Sequence, residues 1–314
     1  MPWVVGIDEA GYGPNLGPLV QAGVALHLPE SDVAGWETLK SVIRRCREKA
    51  DKRLLVDDSK KVYTRGGLAA LERSVRAALI LMDPTVGDLV RKTALSGVAT
   101  ELLAEAWYNP LEAAPVTASD EEVFADFKFL AADQSGCCFG VSIASLVPAP
   151  RFNRICDESG SKATVLSRGL VELIPASLAG MKQGKEPVVI QCDKQGGRNF
   201  YAAIVQEAFP TGWVVAEREA ADESRYRVEM LDRQVTITFR PRADGDSVAV
   251  ALASMLCKYL REVCMLQFNR FWATHVPGIK PTAGYPLDAK RFFAEIKPAM
   301  AKLGLTDDQV WRKK

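Results

Sequence analysis

The 314-residue chain lacks the short motifs on which several large enzyme classes depend. It has no Gly-x-x-x-x-Gly-Lys-Ser/Thr loop for a nucleotide phosphate and no Gly-x-Ser-x-Gly elbow for a serine hydrolase. Its two histidines, His27 and His275, have no Cys or His partner at the spacing of a zinc site. The seven cysteines include no Cys-x-x-Cys pair, and their odd number argues against a disulfide-stapled secreted module.

Long apolar runs and an excess of either charge are also missing. No stretch approaches the ~18 consecutive apolar residues of a membrane-spanning helix, and the chain opens without a basic and apolar leader. Lys plus Arg number 40 against 39 for Asp plus Glu, so affinity for a polyanion would have to come from a local patch. The hydrophobic content of 48% is typical of a globular protein with one large domain or two modest ones. We expect a cytoplasmic monomer with no membrane partner.

The chain does contain a set of acids placed where predicted strands end and predicted helices begin. The apolar run 3–7 favours a buried strand and leads directly into an acidic pair and a Gly-rich turn. The run 187–192 also predicts a strand that ends in an acid, and two further acids precede a long amphipathic helix. The five acids are Asp8, Glu9, Asp193, Asp244 and Asp246. A single one of them is explained as a turn residue or helix cap, but together they form a pattern.

Such a set of carboxylates suits hard divalent cations, which prefer oxygen ligands. Mg²⁺ typically takes one or two protein carboxylates and completes its shell with water and substrate phosphate. Four carboxylates are enough for two ions, and two ions can stabilise the attacking and the leaving oxygens of an in-line phosphodiester displacement. Because zinc, P-loop and serine-hydrolase sites are not predicted, the sequence favours a carboxylate–metal site.

Strand and helix patterns alternate along the chain, which predicts an α/β fold. Residues 19–28 alternate as a second strand, and residues 226–230 and 235–239 form a predicted hairpin. One helix is predicted after Asp58, which can cap it, and another over the polar residues 31–53. Because some strand pairs are predicted to be antiparallel, we expect a mixed sheet flanked by helices, followed by a C-terminal helical part.

Several short segments of the chain resemble the motifs of one known enzyme family. Residues 6–14 read Gly-Ile-Asp-Glu-Ala-Gly-Tyr-Gly-Pro, residues 58–60 read Asp-Ser-Lys before a helix, and residues 284–286 read Gly-Tyr-Pro. A further match is the spacing of an acid with a serine ten residues later and a lysine fourteen residues later, namely Asp244, Ser254 and Lys258. These segments resemble the motifs of type 2 ribonuclease H, also called ribonuclease HII.

The resemblance implies a ribonuclease H-like fold and a division of the chain. Residues 1–83 and 137–260 would form the catalytic domain, residues 84–136 an insertion of unknown role, and residues 261–314 a helical part that contacts substrate. The implied activity is hydrolysis of the RNA strand of RNA–DNA hybrids, or cleavage at ribonucleotides embedded in duplex DNA. The products would carry 5′-phosphate and 3′-hydroxyl ends.

The resemblance also assigns the catalytic and metal-binding roles. Two Mg²⁺ or Mn²⁺ ions would be held by Asp8, Glu9, Asp193 and Asp244. Asp246 competes with Asp244 for the fourth place, and the acid that does not bind metal is explained as a helix cap. The spacing to Ser254 favours Asp244.

Contacts with the nucleic acid are implied at two kinds of position. The residues expected at the ribose, whose 2′-hydroxyl distinguishes RNA from DNA, are Gly11, Tyr12, Gly13 and Tyr285. The basic residues expected at the sugar–phosphate backbone are Lys60, Lys194, Arg198 and Lys258. Two of these residues have another explanation, since Tyr285 can pack on the following helix and Lys258 can orient a metal-binding acid.

The chain departs from the ribonuclease pattern at two places. Tyr12 stands where that family usually has arginine, and residues 84–136 have no counterpart. The first departure leaves open whether an RNA–DNA junction or a longer RNA stretch is preferred. Two alternatives therefore stay open, a hybrid- or duplex-binding module with weakened catalysis and a metal-dependent nuclease of the same fold that acts on structured DNA.

Overall fold

The computed structural model describes residues 1–81, 85–113, 117–133, 136–181 and 184–313. The strands are β1 (Trp3–Ala10), β2 (Leu19–His27), β3 (Ile43–Arg44), β4 (Leu54–Leu55), β5 (Cys138–Val147), β6 (Val188–Asp193), β7 (Trp213–Glu219), β8 (Ser224–Glu229) and β9 (Val235–Arg240). The helices are α1 (Ser59–Leu79), α2 (Val86–Thr93), α3 (Ser96–Leu103), α4 (Asp120–Ala131), α5 (Ala149–Ser159), α6 (Ala163–Ala179), α7 (Ala202–Ala208), α8 (Ala243–Asp246), α9 (Val248–His275), α10 (Pro286–Leu303) and α11 (Asp307–Val310). None of these helices is both long enough and apolar enough to span a membrane.

Seven of the described strands form one mixed sheet in the order β5-β2-β1-β6-β9-β8-β7. The β1 strand pairs antiparallel with β2 and parallel with β6, and β6 pairs parallel with β9. The β8 and β7 strands extend the sheet by antiparallel pairing. The predicted mixed sheet flanked by helices, with a C-terminal helical part, is confirmed. The carboxyl ends of β1, β6 and β9 therefore meet at one edge of the sheet.

The central strand β1 is sealed on one face by the 28-residue helix α9. Gly6 makes this contact possible, because a Cβ there would lie 2.1 Å from the backbone C of Ala249 and the backbone N of Val250. Val4 and Ile7 are buried on either side of this crossing. Since α9 runs without interruption from residue 248 to residue 275, the expected boundary between residues 260 and 261 falls inside a single helix.

Helices α6 and α7 cover the opposite face of the sheet, and over β8 and β9 the side chains alternate. Tyr226 and Ile237 are buried in the apolar cluster on the helix side. Arg225, Arg227 and Thr238 lie on the other side of the same strands and are half-buried. Strands β6, β9 and β8 therefore present a polar surface on this side of the sheet, which we call the polar face.

Described residues between α1 and β5 contribute side chains to the main hydrophobic cluster. Leu102 of α3 and Val123 of α4 are fully buried there, and the Trp107 ring lies 5.3 Å from the Phe268 ring of α9 between centroids. Within the expected insertion, residues 84, 114–116 and 134–135 lie outside the described residues. The described residues of this segment support α1 and α9, because they pack in the same hydrophobic core as these two helices.

Two local expectations were wrong, and one strand was not predicted. The helix expected over residues 31–53 is absent, and a short 3₁₀ turn (Glu30–Asp32), turns and the two-residue strands β3 and β4 stand in its place. The Asp32 carboxylate accepts the amides of Gly35 and Thr38, a local bond that competes with helix formation. The strand β7 was not predicted. The acids at positions 8 and 9 lie inside β1 instead of following it.

Candidate metal and nucleic-acid site

A cavity of about 430 Å³ opens at the carboxyl ends of β1 and β6. We call it the acidic cavity. Its walls come from β1, the turn after β1, the start of α1, the α8 turn, α9 and the residue before α10. The lining residues are Asp8, Glu9, Ala10, Gly11, Tyr12, Gly13, Pro14, Asp58, Ser59, Lys60, Asp193, Arg242, Asp244, Ser254, Lys258, Arg261 and Tyr285.

The strand register brings Asp8 and Asp193 side by side. Ile7 of β1 pairs with Cys192 of β6 in parallel, so the next residue of each strand is an aspartate. Neighbouring strands lie ~4.8 Å apart, which keeps the two carboxylates close although 185 positions separate them. The Asp193 carboxylate accepts the amide of Ala243 at 2.9 Å, and this bond fixes the α8 turn beside β6.

Burial and mutual repulsion dominate the electrostatics of the four acids. Burial raises the pKa of Asp8 to about 7, a hydrogen bond from Ser254 opposes the rise, and the charges of Asp193 and Asp244 add to it. Burial raises the pKa of Glu9 well above its usual range, and Asp8 and Asp193 raise it further. Burial also raises the pKa values of Asp193 and Asp244. The cavity thus disfavours the charged form of each acid unless a positive group lies beside it.

The chemistry of these donors fits a hard cation. All four are carboxylates, and Mg²⁺ and Mn²⁺ prefer oxygen ligands. Within the described ranges, however, no three His, Cys, Asp or Glu side chains are close enough together to hold one metal ion as they stand. The acids therefore share a cavity without converging on a single point.

Asp244 and Asp246, the two competitors for the fourth place, point into different cavities. Asp244 lines the acidic cavity, whereas Asp246 lines a separate cavity of about 460 Å³ on the polar face, together with Gln191 and Arg240. We call this second space the polar-face cavity. The separation follows from helical geometry, since residues two apart on one turn do not face each other. The structure therefore places only Asp244 with the other three acids.

The Gly-rich turn and Tyr285 border the same cavity. Gly11 adopts φ = +88°, which side chains rarely tolerate, and the turn brings Tyr12 and Gly13 to the cavity wall. The Tyr12 ring is half-buried, with the Lys162 amine 4.4 Å from its centroid. The Tyr285 side chain is 58% exposed at the start of α10. Both rings therefore border the space inside the cavity.

Two of the four expected basic residues line the acidic cavity. Lys60 is exposed at the start of α1, and its charge lowers the pKa of Glu9 and of Asp193. The Lys258 amine is held by Glu262 at 2.5 Å and lies over the Tyr63 ring. Both amines are therefore within the cavity wall, with Lys60 the more open to solvent.

The other two, Lys194 and Arg198, are not among the residues that line the cavity. The Lys194 amine is buried and donates to Asn199 Oδ1 at 2.8 Å and to the Ala220 carbonyl at 2.5 Å. Arg198 Nη1 donates to Ser167 Oγ at 2.5 Å. Their place in the turn after β6 predicted proximity to Asp193, but the Lys194 amine is bonded to two loops and the Arg198 guanidinium to α6.

Five polar side chains of the cavity wall were not predicted as site residues: Asp58, Ser59, Arg242, Ser254 and Arg261. Ser254 donates a hydrogen bond to the Asp8 carboxylate, and its Oγ lies 3.1 Å from Ser59 Oγ. The ten-residue spacing from Asp244 to Ser254 is the sequence feature that could have indicated Ser254 as a site residue. In the sequence it distinguishes only Asp244 from Asp246. Arg242 offered no signal, because its left-handed backbone (φ = 62°) becomes visible only in the fold.

Solved structures that align with this chain along most of its length are ribonucleases H. The ribonuclease H2 from Pyrococcus horikoshii OT3 aligns over 98% of this chain and 92% of its own, at 14% identity and a TM-score of 0.46. RNase H3 from Aquifex aeolicus aligns over 98% of this chain and 71% of its own, at 14% identity and a TM-score of 0.44. Bst-RNase HIII in complex with Mn²⁺ aligns over 99% and 66%, at 15% identity and a TM-score of 0.42.

No protein-family model matches the chain, and no curated protein does. At the identities and TM-scores of the solved structures, the likeness assigns neither a family nor an activity to this chain. Its function has to be inferred from the residues that line the acidic cavity.

Proposed function

We propose that the protein is a metal-dependent endoribonuclease that cuts the RNA strand of RNA–DNA hybrids, or cuts at ribonucleotides embedded in duplex DNA. The observation that supports this most strongly is that Asp8, Glu9, Asp193 and Asp244 line one cavity. These are the acids to which the ribonuclease HII resemblance gives the catalytic role. We further propose that the protein acts as a cytoplasmic monomer.

The four acids would hold two Mg²⁺ or Mn²⁺ ions. Bound there, the ions would supply Lewis acidity to the scissile phosphate and activate a water for in-line attack. The proposed products carry 5′-phosphate and 3′-hydroxyl ends.

Other residues of the cavity would orient these acids and the substrate. The Ser254 hydroxyl and the Ala243 amide hydrogen-bond Asp8 and Asp193, which restricts the rotation of both carboxylates. Lys60 offers an exposed ammonium to a backbone phosphate. The ring of Tyr285 is exposed at the same cavity, where it can stack on a sugar or base. Binding, orientation and charge neutralisation thus fall to different residues.

We propose that the catalytic domain comprises residues 1–83 and 137–260. Residues 261–314 would then be a helical part that reaches the substrate through Tyr285. The described residues of 84–136 fill the core beneath α1 and α9, so we assign them a supporting role.

The proposal is tested with three matched duplexes in Mg²⁺ and in Mn²⁺. One duplex carries a single ribonucleotide, one carries a stretch of four, and one is all DNA. We expect cleavage of one or both ribonucleotide-containing duplexes and none of the all-DNA duplex. Cleavage of the all-DNA duplex would favour a nuclease that acts on structured DNA.

A second candidate is a hybrid- or duplex-binding module with weakened catalysis. It is favoured by the absence, within the described residues, of a ready-made cluster of three metal ligands. It is also favoured by Tyr12, which replaces the arginine of the resembled motif. Binding of the four-ribonucleotide duplex without cleavage in either ion would support this candidate over the first.

A further inference from the structure

Two buried arginines lie beneath the turn formed by residues 11–18. Arg312, near the end of the chain, has 0% exposure, and Arg261 of α9 has 4%. Full burial of arginine is unusual and demands partners for its donors. Here the partners are backbone carbonyls of the turn that carries Gly11, Tyr12 and Gly13.

The contacts of Arg312 tie the C-terminal segment to this turn. Its Nη2 donates to the Gly11 carbonyl at 2.7 Å and also to the Pro14 carbonyl. Its backbone amide donates to the Asn15 carbonyl at 2.9 Å, and the Asn15 side chain donates back to the Arg312 carbonyl at 3.1 Å. The Phe152 ring lies under the guanidinium, 4.9 Å from its carbon. One residue therefore holds three carbonyls of the turn.

Arg261 holds the second half of the turn. Its Nη1 donates to the Pro18 carbonyl at 2.6 Å, and its Nη2 donates to the carbonyls of Leu16 and Ala283 at 3.3 and 3.0 Å. The Asn15 amide donates to the Gly284 carbonyl at 2.8 Å. The turn is thus also joined to the segment that carries Tyr285.

These bonds decide which way the peptide groups of the turn face. The carbonyls of Gly11 and Pro14 point inward to Arg312. Among the described residues, no acceptor binds the amides of Tyr12 and Gly13, although both residues line the acidic cavity. Free backbone amides in a Gly-rich turn are suited to bind phosphate or sugar oxygens.

The two guanidiniums also place positive charge behind the turn. Burial lowers the pKa of both, and the charge of Arg261 lowers that of Arg312 further. Among the described residues, Nε and Nη1 of Arg312 have no hydrogen-bond partner. Leaving buried donors unpaired costs free energy of folding, so stability alone does not explain an arginine at this position.

We propose that Arg312 is a positioning residue of the proposed nuclease. By holding the carbonyls of the turn, Arg312 orients the amides of Tyr12 and Gly13 toward the substrate's sugar–phosphate backbone. The predicted effect of Arg312 on cleavage rests on the proposed function. The anchoring itself rests only on the contacts of Arg312.

The test uses Arg312→Lys and Arg312→Ala in the full chain, with Lys313→Ala as the matched control. Lys313 is the next residue, but its amine pairs with Asp157 on the surface at 2.6 Å and does not touch the turn. Hydrogen exchange of residues 10–18 and single-turnover cleavage of the ribonucleotide duplexes are measured for each protein. Since lysine cannot bridge two carbonyls in a fixed plane, Arg312→Lys changes the anchor while keeping a cation.

We expect faster exchange within residues 10–18 in both Arg312 variants and no change in the control. Cleavage should fall about 100-fold in Arg312→Lys, mainly in kcat, because the displaced turn misplaces the substrate. Low-millimolar guanidinium should restore much of the loss in Arg312→Ala, since it can occupy the vacated space. If Arg312→Ala does not fold, Arg312→Lys decides the outcome.

Unchanged exchange of residues 10–18 in Arg312→Lys would overturn the anchoring. Faster exchange with undiminished cleavage would overturn the positioning role. If the wild-type chain binds hybrids but never cleaves them, the proposed nuclease function is rejected, but the anchoring role of Arg312 is not. Hybrid affinity would then replace cleavage as the second measurement, and an unaltered affinity in Arg312→Lys would overturn the inference.

Discussion

The acidic cavity and the polar-face cavity both border on the α8 turn, and their charged side chains are partnered differently. On the polar face, Arg225 Nη2 lies 2.9 Å from Glu223, Arg227 Nε lies 3.2 Å from Glu217, and Arg240 Nε donates to Glu223 at 2.6 Å. Each arginine there already has a carboxylate. The positive charges of these three arginines are therefore already paired with carboxylates of the protein.

The acidic cavity shows the opposite arrangement. Among the described residues, none of its four acids forms an ion pair, and burial raises the pKa of each. Like charges in a partly buried space destabilise the chain unless something else neutralises them. The contrast teaches that unbalanced charge, more than charge itself, marks the place where a cation is expected.

The largest expected effect is loss of cleavage in Asp193→Asn. Removing this carboxylate should lower single-turnover cleavage of the ribonucleotide duplexes by more than about 1,000-fold, because it faces both Asp8 and Asp244. Hybrid binding in EDTA should be retained or slightly tighter. Thr238→Ala on the polar face is the control and should remain near the wild-type rate. Retained turnover in Asp193→Asn would reject the role of this acid.

Asp244→Asn and Asp246→Asn give the sharpest comparison of the two cavities. We expect Asp244→Asn to lose about 100-fold in cleavage and Asp246→Asn less than about threefold, since only the first faces the other acids. Both variants carry the same change in charge two residues apart. Equal losses in the two variants would contradict the separation of the cavities.

Metal binding should appear in thermal stability without any substrate. Mg²⁺ or Mn²⁺ well above its dissociation constant should raise the Tm of the wild-type protein by about 2–5 °C, through binding to the folded state alone. Asp193→Asn should lose most of this rise, and Asp246→Asn should keep it. A rise of the same size in Asp193→Asn would place the cation elsewhere.

Without metal, the acidic cavity should make the protein less stable as the pH rises. Asp8 has a pKa of about 7 when folded against an ordinary value of 3.8, so between these values the folded state binds more protons than the unfolded state. The free energy of unfolding therefore falls as the pH rises toward about 7 and levels off above it. Asp8→Asn, which is neutral throughout, should show a flatter dependence of Tm on pH. An identical slope in both proteins would argue against the raised pKa.

The smallest effect is expected at Tyr285. Tyr285→Ala should lower cleavage about tenfold, the usual worth of one stacking ring, and Tyr285→Phe should stay near the wild type. The two variants separate stacking from a role of the hydroxyl. If both lose equally, the hydroxyl carries the contact.

Local chemistry allowed the sequence to predict several parts of the site. The apolar run before Asp8 and the spacing from Asp244 to Ser254 are local patterns, and the structure places these residues at one cavity. The helix expected over residues 31–53 does not form, because the Asp32 carboxylate binds the Gly35 amide in a local turn. A count of polar residues does not reveal such a bond.

Long-range geometry could not be predicted in the same way. The pairing of Ile7 with Cys192 is a matter of register, and the burial of the Lys194 amine depends on Asn199 and the Ala220 carbonyl. Arg312 lies 301 positions from Gly11, and no motif surrounds it. Such contacts emerge only when the chain is folded.

The contact at Gly6 has a mechanical consequence. Because a methyl group does not fit between β1 and α9, the helix cannot slide or roll along the strand without a collision. Asp8 on the strand and Ser254 on the helix are thereby locked into one rigid block. In the proposed nuclease, accommodation of differently shaped duplexes would have to come from the loops around that block, while the block keeps its dimensions.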